Sequence, residues 1–160
     1  MIYLGIDPGT HRIGYGIISL DGQRMLPLTY GVIENTGSDR AAHIRNTESS
    51  LDALIRKHRP DAAGIEKLFF TTNRKTAMSV SEMRGVLLAT LGRHGLPIRE
   101  FTPLQVKQAV CGYGKADKGQ VQRIVRMLLK ITEPIRPDDA ADALAIAICC
   151  SAAPLSPPGA

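Results

Sequence analysis

The sequence predicts an α/β domain built on a mixed β-sheet, and three observations carry that reading. Short apolar runs with strand character fill the first third of the chain. Helical periodicity then alternates with two further short strands. From Thr102 onward the pattern is helical. The order βββαβαβ followed by helices calls for five strands, joined by antiparallel hairpins early and by parallel crossovers later.

The run from Ile2 to Ile6 is almost continuously apolar, as suits a strand buried on both faces, and Asp7-Pro8-Gly9 stops it. From Ile13 to Leu20, Gly14 and Gly16 alternate with larger residues; Asp21-Gly22 then offers a turn into a third strand, from about Met25 to Glu34. After Ser38, Ile44, Leu51, Leu54, Ile55 and His58 recur on one helical face until Pro60. Ala62 to Ile65 reads as a short buried strand ending in Glu66. A helix is expected over about Arg74 to Arg93, stopped by Gly92 and Gly95, with Pro97 opening a short strand towards Phe101. Thr102-Pro103-Leu104-Gln105 and Asp117-Lys118-Gly119-Gln120 each place a cap residue three before a Gln, so two helices start there, the first ending near Gly112. The second carries Val121, Ile124, Val125, Leu128 and Leu129 on one face. A further helix starts near Asp138. Three prolines and a glycine after Ala153 predict a disordered tail, leaving residues 1–152 as one domain.

At 160 residues and 17.3 kDa such a domain buries a core without disulfides or structural metal. Two of the three cysteines, Cys149 and Cys150, are adjacent in an apolar stretch where a disulfide between them would be strained, so reduced, buried thiols are expected. Asp7 interrupts the first apolar run, no basic leader precedes it, and no apolar stretch of about 20 residues follows. The expectation is a cytoplasmic protein. The net charge of +5 and pI of about 9.3 favour a polyanionic partner, although the same balance also serves solubility.

Asp7 and Glu66 each terminate a short apolar strand. If those strands are neighbours, both carboxylates emerge at one sheet edge. Asp139 and Asp142, three apart at a helix start, share a face that can meet them there. Such a cluster repels itself unless hard divalent cations sit in it, Mg²⁺ above all. Two ions about 4 Å apart suit in-line displacement at a phosphodiester. Spacing alone is equally met by a turn at Asp7, a helix cap at Asp138 or Asp139, and an exposed Glu66. The four histidines are scattered, without zinc-type spacing.

Gly5-Ile6-Asp7-Pro8-Gly9-Thr10, Arg12-Ile13-Gly14, Ile65-Glu66, Gln105-Val106-Lys107-Gln108 and Asp139-Ala140-Ala141-Asp142-Ala143-Leu144-Ala145 resemble, in order, the motifs of RuvC resolvases. The resemblance spans roughly residues 1–150. It implies a ribonuclease-H-like fold with a five-stranded mixed sheet flanked by helices. It also implies a homodimer that makes paired, symmetric, ligatable nicks in four-way (Holliday) DNA junctions during recombination and repair. Asp7, Glu66, Asp139 and Asp142 match the family's acidic Mg²⁺-binding positions, where two ions are expected and Mn²⁺ can substitute. Lys107 and Lys118 match its basic positions, and Phe69 its base-stacking aromatic; Arg74 and Lys75 join the expected DNA-contacting set. A thymine-rich cleavage preference and association with a branch-migration complex follow from the family alone. Ser81-Glu82-Met83-Arg84-Gly85 departs from the family's more usual Gly-Gln-Ala-Arg-Gly. Asp138 beside Asp139 leaves the acidic helix ambiguous, and the reading adopted is that Asp138 caps the helix after Pro137 while Asp139 projects with Asp142. For a dimer contact, the helix over Arg74 to Arg93 offers Ala77, Leu87, Leu88 and Leu91.

Three other readings compete. A YqgF-like nuclease shares the start but explains the late motifs less well. A sugar-kinase or actin-like ATPase shares the Asp7-Pro8-Gly9-Thr10 turn but needs two domains. A non-catalytic DNA-binding module would have lost its acids.

Overall fold

A computed structural model of the chain describes residues 1–68 and 74–153, the side chains of residues 74–76 excepted. Phe69, Phe70, the side chains of Arg74 and Lys75, and the expected tail at 154–160 therefore lie outside the described residues. The elements run β1 (Ile2–Asp7), β2 (Arg12–Asp21), β3 (Arg24–Glu34), α1 (Arg40–His58), β4 (Ala62–Glu66), α2 (Arg74–Arg93), β5 (Ile98–Phe101), α3 (Pro103–Cys111), α4 (Lys118–Leu129) and α5 (Asp138–Ala152). The sheet order is β3-β2-β1-β4-β5. β1/β2 and β2/β3 are antiparallel, whereas β1/β4 and β4/β5 are parallel. This is the five-stranded mixed sheet flanked by helices that the element order predicts.

The sheet buries both faces, and the strand period of two divides them. Leu4, Ile6, Ile17, Ala63 and Ile65 pack on Leu51 and Ile55 of α1 and on Met83, Leu87 and Leu91 of α2. Tyr3, Ile18 and Ala62 face α3, α4 and α5 on the other side. There the sheet is floored with glycine. A Cβ at Gly5 would lie 2.0 Å from the Ala143 carbonyl oxygen, one at Gly14 2.0 Å from that of Asp139, and one at Gly16 2.8 Å from Leu144. The alanine-rich α5 thus lies directly on the backbone of β1 and β2. Both capping boxes form as expected, Thr102 with Gln105 and Asp117 with Gln120, and Gly112 closes α3 in a left-handed conformation. Cys149 and Cys150 are free and buried, and burial pushes both thiols up to about 11. No helix among the described residues is long and apolar enough to cross a membrane.

Two expectations are corrected. Leu87 and Leu91, proposed for a dimer contact, are wholly buried in the chain's own core; Ala77 and Leu88 are half-buried, and the residues α2 exposes include Met78, Glu82, Gly85, Ala89, Gly92 and Arg93. The second correction is to the buried stripe of α1, which is His43, Thr47, Leu51 and Ile55, offset from the apolar set read from the sequence. The cause is a buried asparagine. Asn35 donates to Thr47 Oγ1 at 3.0 Å and to the Thr10 carbonyl at 3.2 Å, and accepts from Asn46 at 2.8 Å. A polar group out of water needs those partners, so α1 turns polar residues inward.

Candidate active site

β1 and β4 are parallel neighbours with Ile6 beside Ile65, so Asp7 and Glu66, one residue further on, leave the sheet side by side. Alternation puts both on the face that carries α5. Asp7 also pairs with Gly14, and at that glycine the backbone of Asp139 comes so close that no side chain fits. The start of α5 is thereby laid across the end of β1, which brings Asp139 and Asp142 towards Asp7. Four acids distant in sequence are gathered at one end of the sheet.

Their mutual field is large. Asp7 is pushed up to about 8, first by burial and then by Asp142, Glu66 and Asp139, with Lys118 opposing. Burial and Asp142 raise Glu66. Asp142 is raised by burial, against the hydrogen bond and charge of Lys118 and with Asp138 and Asp139 adding to the rise. Lys118 Nζ stands 3.2 Å from Asp142 and 3.3 Å from Asp138; these carboxylates raise its pKa, more than offsetting burial. Lys107 enters from α3 and shares with Glu66, Lys118 and Asp142 a cleft of about 280 Å³. The two lysines and two of the acids thus line a single opening.

The donor set suits a hard cation: four carboxylates, three of them with charged forms disfavoured by burial and by neighbouring acids, held at a sheet edge that opens to solvent. Among the described residues no three His, Cys, Asp or Glu side chains are drawn close enough to cage an ion as they stand. The ammonium at Asp142 supplies part of the positive charge the cluster demands.

Asp138 is not the cap. Pro137 is the N-cap of α5 and makes no side-chain cap bond, so Asp138 is the first helical residue. Its carboxylate accepts from Gln122 Nε2 at 3.2 Å and pairs with Lys118 instead, a more favourable use than a cap because it is charge-assisted. It stays exposed, whereas Asp139 and Asp142 are partly buried.

Two supports escaped the sequence reading. Arg84, with a side chain 16% exposed, donates from Nε to the Glu66 carbonyl at 3.4 Å and pairs with Glu100 at 3.0 Å, tying α2 to the ends of β4 and β5. The persisting Arg84-Gly85 pair was the available signal. The Asn35 network holds the Thr10 carbonyl, fixing the turn that leaves Asp7, and only the structure discloses it.

The family model described as crossover junction endodeoxyribonuclease RuvC matches residues 3–150. The crossover junction endodeoxyribonuclease RuvC of Heliobacterium modesticaldum is 47% identical over 152 residues, 94% of each chain. That of Alkaliphilus oremlandii is 50% identical over 151 residues, 93% of this chain and 92% of its own. Among solved structures, T. thermophilus RuvC in complex with Holliday junction substrate matches with a TM-score of 0.89 and 31% identity, over 94% of this chain and 93% of that one. The yeast mitochondrial Holliday junction resolvase, at 14% identity and a TM-score of 0.62 over 92% of this chain and 77% of that one, shares the fold.

Proposed function

The chain belongs to the RuvC family of crossover junction endodeoxyribonucleases, with the ribonuclease-H-like fold of that family, and we propose that it resolves four-way (Holliday) DNA junctions by paired symmetric nicks in recombination and repair. The observation that carries the reading is the gathering of Asp7, Glu66, Asp139 and Asp142, from two strands and a helix, into one coupled acidic cluster beside Lys107 and Lys118. The non-catalytic reading has no use for such a cluster, which costs stability through self-repulsion.

Asp7, Glu66, Asp139 and Asp142 would hold divalent ions, two Mg²⁺ per site or Mn²⁺ in their place. When bound, such ions supply activation of water and stabilisation of the leaving oxygen in an in-line displacement at phosphorus. The chain's own part is to keep the ligands ready. Burial and the neighbouring acids favour the protonated form of Asp7 in the absence of metal, and a divalent ion held there would favour the ionised form, since a carboxylate coordinates only when ionised. Lys118 screens Asp142 until then, and with Lys107 it offers cations to the DNA phosphates next to the cut. Phe69, Arg74 and Lys75, on the segment after β4, are proposed to contact junction bases and backbone. Arg84 holds the Glu66 backbone against β5.

Two strands must be cut in matching positions, so the working form is proposed to be a two-fold homodimer. The outer side of α2, with Met78, Gly85 and Ala89, is the face left for the contact. Acting on DNA, the enzyme works in the cytoplasm. The test is nicking of a labelled four-way junction and a matched duplex with Mg²⁺. Wild-type protein is expected to nick the junction in opposed strands; Glu66→Gln and Asp142→Asn should bind it and leave it uncut. Undiminished nicking by both variants would remove these acids from the chemistry.

A further inference from the structure

Beyond Lys118 and Asp138 the surface opens into a second cleft, of about 440 Å³, between α4 and the segment from Pro134 to Arg136. Three guanidinium groups line it. Arg123 and Arg126 come from α4, one turn apart and hence on one face, and Arg136 comes from the segment leading into α5. Arg126 is fixed, since its Nε donates to the Ile131 carbonyl at 3.4 Å and its Nη2 to that of Thr132. A guanidinium has five N–H donors, so these two bonds leave others for a ligand. Arg123 is exposed and has no hydrogen bond or ion pair among the described residues.

Two carboxylates also reach the cleft, and both are engaged. Asp117 accepts the Gln120 amide at 2.8 Å as the cap of α4. Asp138 is paired with Lys118 and accepts from Gln122. The balance that faces an incoming group is therefore cationic, with planar forks suited to phosphate oxygens. Continuity with the acidic site sets the scale. Lys118 lines the acidic cleft and Asp138 this one, and the two are paired at 3.3 Å. Arg123 and Arg126 lie five and eight residues beyond Lys118 on α4, or about 7.5 and 12 Å at 1.5 Å per residue. At about 3.4 Å of axis per nucleotide of one strand, that is a reach of about two to four nucleotides.

We propose that this cleft binds a backbone phosphate of the DNA strand about two to four nucleotides to one side of the scissile phosphate. Arg126 forms its fixed base, and Arg123 and Arg136 close on the phosphate. The proposal rests on the reading of the acidic cluster as the place of cleavage. It adds a grip on the path of the strand that does not touch the reacting atoms.

The experiment measures junction binding by fluorescence anisotropy, without divalent cation, across a range of NaCl concentrations. Wild type is compared with Arg123→Ala/Arg136→Ala and with Arg24→Ala, an exposed arginine at the β2–β3 turn. A neutral methylphosphonate is also moved one position at a time along the strand to either side of the cut. The double variant should show a slope of log Kd against log salt shallower by about one, as the loss of one phosphate contact requires, and at moderate salt a Kd raised about tenfold. Arg24→Ala should keep the wild-type slope. One methylphosphonate, two to four nucleotides from the cut, should weaken wild-type binding and have no further effect on the double variant, the non-additivity expected of direct partners. Should the double variant keep the wild-type slope, or the methylphosphonate penalty add in full at every position, the cleft is not a phosphate site, even with wild type nicking junctions normally. A wild type that neither binds nor nicks four-way junctions would overturn the reading of the acidic cluster and this proposal with it.

Discussion

Replacing Asp7 by Asn removes the most strongly perturbed acid of the cluster while keeping its shape. In the absence of divalent cation, the folded chain holds the Asp7 proton up to about 8, against an ordinary value of 3.8. Between those pH values the native state binds more protons than the unfolded state, so wild-type stability falls as pH rises through the window. The ceiling is about four pH units at 1.36 kcal/mol each, about 6 kcal/mol. Glu66 and Asp142 share the cluster and relax when one carboxylate is neutralised, so a realised gain of about 2–3 kcal/mol is expected for Asp7→Asn at pH 8.5. For a chain of this size that is a rise in Tm of about 5–10 °C. Thermal melts in EDTA from pH 5 to 9 measure it. The gap between the two proteins should be smallest at pH 5, widen up to about pH 8 and level off above it, and Mg²⁺ should raise the wild-type Tm more at pH 8.5 than at pH 5.5. Equal melting temperatures across the range, or a variant less stable at pH 8.5, would refute the argument that these carboxylates repel one another across a buried edge.

Three further outcomes follow from the same geometry. Asp138→Asn keeps an acceptor for Gln122 and loses only one partner of Lys118, so nicking should stay within about threefold of wild type, whereas Asp139→Asn should lower it about a hundredfold or more in single-turnover assays; the reverse order would move the ligand assignment by one residue. Lys107→Ala and Lys118→Ala should each flatten the salt dependence of junction binding by about one unit of slope, with a circular-dichroism melt checking that the fold persists; unchanged slopes would take both out of the DNA path. Gly5→Ala would place a Cβ 2.0 Å from the Ala143 oxygen and 2.4 Å from the Ala147 nitrogen, so a loss of about 1–3 kcal/mol in urea unfolding is expected, with nicking falling further than stability because α5 carries two of the acids; an unaffected variant would mean that the helix shifts freely.

Much of this was legible in the sequence because the relevant signals are local. Asp7 and Glu66 could be placed at strand ends from the apolar runs before them, and the caps at Thr102 and Asp117 from residues three apart. The assembly of the acids was legible only as a condition, since it depends on β1 and β4 being parallel neighbours, a pairing across about sixty residues that no local pattern encodes. The cap at Asp138 was misread for a related reason: a side chain that caps in isolation finds a better partner when α4 brings Lys118 and Gln122 beside it. Leu87 and Leu91 look alike as core or interface residues, and only the packing of α2 on the sheet tells which. Likewise Thr47 is buried as a partner of Asn35 and His43 as a partner of the Thr36 carbonyl, both just beyond β3, and periodicity of apolar residues is blind to that.

The glycine floor beneath α5 also bears on how the enzyme comes into being. Asp7 and Glu66 are synthesised before α5, the last of the described elements, which supplies both the remaining acids and the layer directly on the backbone of β1 and β2. A nascent chain emerging from the ribosome therefore presents β1 and β2 with an uncovered strip of backbone, and the four-acid cluster cannot close until residues beyond 139 have docked. DNA-cutting capacity is thus withheld until α5 has been made and has docked, and a product ending before α5 is left an unsealed sheet with two of the four acids.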